Sequence, residues 1–128
     1  MNAGIVCTAL LGLLLFALGL HVSLLRQRTR RSIGYDPSPT DPLHRAVRAH
    51  GNTAEYGPFF AILFLWFAAH PGPNWVSVAI VVATIARVLL VGGLLWGPSL
   101  DKPNPARFLG ALLTYLTGFV LVIRLLVA

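Results

Sequence analysis

The stretch Arg45-Ala-Val-Arg48-Ala-His50-Gly-Asn52-Thr-Ala-Glu55-Tyr56-Gly-Pro58 decides how the rest of the chain is read. Arg45, Arg48, Asn52, Glu55 and Tyr56 are 3, 4, 3 and 1 positions apart. At about 100° per residue they fall within an arc of roughly 100°, one stripe along a helix. Phe59 continues the stripe, whereas His50 points more than about 100° away from it. The apolar run that follows, 56–69, has 14 residues and is too short to cross a bilayer, which takes about 20. Joined to the polar half from Leu43 onward it makes a helix of about 27 residues, roughly 40 Å long. Lipid cannot satisfy a polar stripe, so this face must turn toward the bundle or a partner subunit. Pro58 removes one backbone donor and is expected to kink the helix.

The whole chain agrees with a membrane setting. Of 128 residues 56% are apolar and 11% charged, against about a quarter charged in soluble domains, and mean hydropathy is +0.75. Too little polar surface remains to cover a water-facing globule, which argues against a soluble enzyme. The net charge of +6 would suit nucleic acid, but six of the ten basic residues (Arg26, Arg28, Arg30, Arg31, Arg45, Arg48) lie in one stretch between apolar runs. That placement reads as a topology signal at a membrane surface, with no nucleic-acid partner.

The pattern predicts one domain, 1–128, of all-α class: a polytopic four-transmembrane-helix bundle with helices over about 3–25, 43–69, 75–96 and 106–127. The first run lacks the basic start and the cleavage site of a signal peptide, so it is kept as a helix. Gly34, Pro37, Pro39 and Pro42 mark a loop over about 26–42, and a second covers about 97–105. Asn74 is the expected N-cap of the third helix. The arginine-rich first loop and the third loop, with Lys102 and Arg107 beside it, are placed in the cytoplasm and both termini outside. Cys7 is a lone small hydrophobe, and the scattered His21, His44, His50 and His70 give no metal site.

A depth argument links the stripe to the third helix. Glu55 lies about 21 Å from the outer end of its helix, and Arg87 about 18 Å from the outer end of the next. Two charges at equal height, each costing roughly 2.5–3.5 kcal/mol alone, predict a structural Glu55–Arg87 ion pair, within one chain or across a subunit interface. Arg45, Arg48 and Arg107 face the same half, more positive charge than one carboxylate balances. An anionic ligand would supply the rest, since guanidinium forks suit carboxylate and phosphate; for Arg45 and Arg48 a headgroup-binding, topology-setting role weighs equally.

The Arg45–Pro58 string resembles the signature of the MAPEG family, the membrane-associated proteins in eicosanoid and glutathione metabolism. The Ala86-Arg87 pair fits the same likeness, and Asn104-Pro-Ala-Arg107-Phe-Leu-Gly110 with Thr114 is similar to bacterial members, which implies a bacterial inner membrane. The resemblance implies a homotrimer with glutathione, as co-substrate, between subunits in the cytoplasmic half. It implies glutathione contacts for Arg48, Asn52, Glu55 and Tyr56, a contact for His50 (reconcilable with its direction only through a neighbouring subunit), and a carboxylate ligand in Arg26 or Arg28. Arg107 matches the catalytic arginine that stabilises the thiolate. A guanidinium near a thiol does favour the thiolate, the form that attacks.

The sequence departs from the family where many members carry His or Tyr on the third helix: Leu90 and Leu94 stand there. Tyr115, eight residues beyond Arg107 and about 12 Å along the axis, is expected to lie too deep to replace them. The leading expectation is a glutathione-dependent transferase or peroxidase acting on small lipophilic electrophiles that arrive from the membrane lipid. A non-catalytic glutathione- or lipid-binding protein is the alternative. A small proton-coupled exporter ranks lower, because such a protein would carry its carboxylate on the first helix without an arginine at equal depth.

Overall fold

A computed structural model describes residues 2–128. The described residues form four helices: α1 (Ala3–Thr29), α2 (Pro42–Ala69), α3 (Asn74–Trp96) and α4 (Pro105–Leu126). α1, α3 and α4 are long and apolar enough to cross a membrane. α2 has 28 residues, and its polar first half keeps it from being recognised as a span by composition alone.

The ends follow capping chemistry. α1 runs four residues past the expected stop at 25, through Arg26 to Thr29, and ends where Arg30 turns left-handed at φ 53° and donates its N–H to the Arg26 and Gln27 carbonyls. Asp41 caps α2 by accepting the His44 N–H at 2.8 Å, with Pro42 in the first turn, where a missing N–H is harmless. Asn104 caps α4, accepting from Ala106 and Arg107 N–H, while its amide donates to the Gly93 carbonyl of α3 at 3.0 Å. Asn74 is not the cap of α3: the helix takes it in as its first residue and Pro73 holds the cap position without a side-chain bond. α2 continues through Pro58 as a single helix.

Two apolar clusters hold the bundle together. One gathers Cys7 and Leu11 with Phe60, Leu63, Phe64 and Phe67, Val76, Ile80 and Ala83, and Leu121. The other gathers Leu18, Ala49, Leu90, Val91 and Leu94. Between them along α2, α3 and α4 lies a polar layer containing Asn52, Thr53, Thr84, Arg87 and Thr114. α3 and α4 approach closely because glycine faces backbone: a Cβ on Gly110 would stand 2.6 Å from Leu90 N and 2.8 Å from the Ala86 carbonyl oxygen, and one on Gly93 2.7 Å from Arg107 N.

Gly110→Ala is therefore expected to force α4 away from α3 and cost about 1–3 kcal/mol, the usual range for overpacking. Gly12→Ala meets nothing within 4 Å and should be neutral or gain up to about 1 kcal/mol of helix propensity. Detergent-titrated unfolding of the two variants checks the contrast.

Candidate functional site

Arg87 is the centre of the polar layer and is fully buried. One Nη donates to the Asn52 side-chain carbonyl of α2, the other to the Thr114 hydroxyl of α4 at 3.4 Å. The guanidinium carbon lies 5.2 Å from the centre of the Tyr56 ring, within cation–π range. Nε finds no partner. Thr114 spends its own hydrogen on the Gly110 carbonyl one turn back, at 2.7 Å, which leaves its lone pairs to face Arg87.

Beside Arg87 a cavity of about 170 Å³ opens between α2, α3 and α4. α2 contributes Arg48, Asn52 and Tyr56, and α3 contributes Arg87, Leu90 and Leu94. α4 contributes Arg107, Ala111, Thr114 and Tyr115. Three arginines thus line a wall that carries no carboxylate. Arg107 Nη1 donates to the Leu100 carbonyl at 2.6 Å, which steadies it against the loop. Arg107 and Ala111 also line a wider opening on the loop side, about 700 Å³. There Asp101 accepts the Ser99 hydroxyl, which holds its carboxyl below the usual carboxylate range. At the other end, Tyr56, Thr114 and Tyr115 also line an apolar groove of about 310 Å³ between α2 and α4. Opening, cavity and groove follow one another along α4.

The structure brings Arg48, Asn52, Tyr56 and Arg107 to this one cavity, and Arg87 with them. It places the other expected residues elsewhere in the single chain. Glu55 is exposed and lines the apolar groove, so the Glu55–Arg87 pair does not form within the chain: Arg87 meets Asn52 and Thr114 instead. On α2, Tyr56 is about 40° to one side of Asn52 and Glu55 about 60° to the other, and α3 faces the former side. His50 packs against α1, with Nε2 3.3 Å from where a Cβ on Gly19 would stand. Arg26 donates to the Gly34 carbonyl at 2.8 Å and holds the first loop, while Arg28 is exposed at the end of α1.

Two residues have other duties than the sequence indicated. Arg45 is buried and donates to the carbonyls of Leu95 at 3.2 Å, Gly97 at 2.6 Å and Pro98 at 2.9 Å. It closes the C-terminus of α3, where orphan carbonyls and the helix dipole favour a cation, and so serves neither headgroup nor ligand. Tyr115 is not out of reach: the cavity extends along α4 from Arg107 to Tyr115, whose hydroxyl lies 3.5 Å from that of Tyr56. The signal that could have shown this is the pairing of Thr114 with Tyr115 one turn past Gly110, which puts a polar pair on a helix otherwise apolar from Phe108 to Leu113.

Asn52→Leu should leave a buried guanidinium Nη without its acceptor and destabilise the bundle by about 1–3 kcal/mol. Unfolding of the variant in detergent measures the loss, and an unchanged midpoint would mean that Arg87 finds its acceptor elsewhere.

Neither a curated protein nor a solved structure matches the chain. A family model described as MAPEG family matches residues 4–127, a span that takes in the four helices except for the first residue of α1 and includes every residue of the cavity wall. This is an integral membrane protein, and it belongs to the MAPEG family, whose members include glutathione-dependent transferases and non-catalytic proteins.

Proposed function

We propose that the chain is a membrane-embedded glutathione-dependent transferase or peroxidase acting on small lipophilic electrophiles. The observation that carries the reading is the convergence of Arg48, Arg87 and Arg107 on a cavity without a carboxylate. Such a wall calls for an anion, and glutathione brings two carboxylates and a thiol that can ionise. Arg48, exposed at the cytoplasmic end of the stripe, suits a carboxylate. Asn52 has an amide N–H₂ available to the peptide, and Tyr56 a hydroxyl. Arg107 favours thiolate over thiol and is the catalytic residue of this reading.

At about 170 Å³ the cavity is smaller than the roughly 300–1,000 Å³ of small-molecule clefts. A tripeptide therefore needs a second wall. A homotrimer, as in the family, would supply one and would cover Glu55, whose exposed carboxylate at lipid depth otherwise has no compensation. In the same assembly Glu55, His50 and Arg26 or Arg28 could reach glutathione across the interface. We place the first and third loops in the cytoplasm and the termini outside, in a bacterial inner membrane. Glutathione would enter from the loop side and the electrophile from the lipid, along the apolar groove.

A second reading, binding without turnover, is favoured by one observation: Leu90 and Leu94 form part of the wall and offer no proton donor or acceptor. Calorimetric titration of the protein in detergent should give saturable glutathione binding, weakened at least tenfold by Arg48→Ala, and by less as salt is raised, since part of the attraction is screened. Arg45→Gln should lower stability by about 1–3 kcal/mol through its lost carbonyl bonds while leaving that affinity in place. Conjugation of a generic electrophile above the uncatalysed rate selects the transferase; binding with no such rate selects the second reading; no binding removes both.

A further inference from the structure

The wall positions on α3 that hold leucine leave the polar chemistry at the groove end of the cavity to α2 and α4. Three residues line both cavity and groove: Tyr56, Thr114 and Tyr115. The Thr114 hydrogen is committed to the Gly110 carbonyl. The two tyrosine hydroxyls lie 3.5 Å apart, with rings edge to face at 6.0 Å between centres. Two hydroxyls that share one hydrogen bond have one O–H left over. Tyr56 sits over the Arg87 guanidinium and is the inner member; Tyr115, 51% exposed, is the outer one and faces the groove. If the inner phenol donates, the outer one becomes the stronger donor, because hydrogen bonds in a chain polarise one another.

We propose that Tyr115 is a catalytic acid of this site, acting on electrophiles whose reaction places negative charge on oxygen, with Tyr56 as its positioning residue. The inference rests on the glutathione reading above and names the class of co-substrate that the site prefers: an apolar chain ending in an α,β-unsaturated carbonyl. The chain lies in the groove among Phe59, Phe60 and Phe119, and the carbonyl oxygen meets the Tyr115 hydroxyl at the junction. The thiol first gives its proton to water and the thiolate is held by Arg107. Its sulfur then forms a bond to the β-carbon, the C=C pair moves to make an enolate, and the enolate oxygen takes the Tyr115 proton. Tyr115 regains a proton from Tyr56, and Tyr56 from water entering on the loop side, which returns the proton lost by the thiol. The enol rearranges to the ketone.

The test uses the full chain in phosphatidylcholine vesicles with glutathione and two electrophiles, an alkyl enone and a halonitroarene. The second loses halide and needs no proton on oxygen. Tyr115→Phe is expected to lower kcat for the enone roughly 100-fold, within the usual range for general acid catalysis, and to lower the enone-to-haloarene rate ratio at least tenfold, with glutathione affinity retained. Tyr56→Phe should lower enone kcat by a smaller factor and leave the KM for the enone in place. A fluorotyrosine at 115, nearly isosteric and more acidic, should move the alkaline limb of the enone kcat profile to lower pH, because the acid must be protonated to act. An unchanged ratio in Tyr115→Phe, or an unmoved limb, overturns this inference alone. A native protein that binds no glutathione overturns the underlying reading and the inference together.

Discussion

An arginine with no exposed surface, at a depth where insertion costs about 2.5–3.5 kcal/mol, constrains everything packed around it. Arg87 is held by an amide oxygen from α2, a hydroxyl from α4 and the face of a tyrosine. Two contacts come from α2 and one from α4, while the arginine itself stands on α3, so the guanidinium fixes how three helices are rotated about their axes. Thr114 can accept from Arg87 only because its own hydrogen goes to Gly110, and Gly110 is where α4 touches the α3 backbone. The close glycine crossing and the buried cation are thus one arrangement. A side chain on Gly110 would separate the helices and move the hydroxyl away from Arg87.

The same arrangement explains where the cavity lies. The apolar clusters fill the bundle toward both ends, and the polar layer between them cannot be packed as densely with aliphatic side chains. Arg107 and Arg48 border it from the loop side, and Arg45 is removed from it by its duty at the α3 C-terminus. Charge and apolar surface are therefore ordered along the path: an aqueous opening with Asp101 and Lys102, a cationic middle, then a groove lined by phenyl rings. A thiol carrying carboxylates and a lipophilic electrophile would meet at the boundary, where the tyrosines stand.

Much of this could be read in the sequence, and the omissions have physical causes. Four helices followed from hydropathy and breakers, and the one-face stripe of α2 followed from spacing. The height of Arg87 followed from counting residues along α3, but height says nothing about rotation, and rotation gives the contact to Asn52 and Tyr56 instead of Glu55. Arg45 belongs to the same stripe, yet its long side chain reaches the end of α3, a destination that spacing along α2 cannot reveal. Tyr115 looked remote because distance was measured along one helix axis; the cavity runs parallel to that axis and spans the gap. Five of the eight helix ends shifted, by one to four residues, most at α1, where Arg26, Gln27 and Arg28 are good helix formers that continue the helix beyond the apolar run.

The claim on which the rest turns is that the guanidiniums of this cavity hold a thiol as its thiolate. Ultraviolet difference spectroscopy of the protein titrated with glutathione at neutral pH measures this directly, because a free thiol with a pKa of about 8.5 is mostly protonated there. A thiolate band that grows in step with binding and disappears in Arg107→Ala is the predicted result. Saturable glutathione binding with no thiolate band would contradict it.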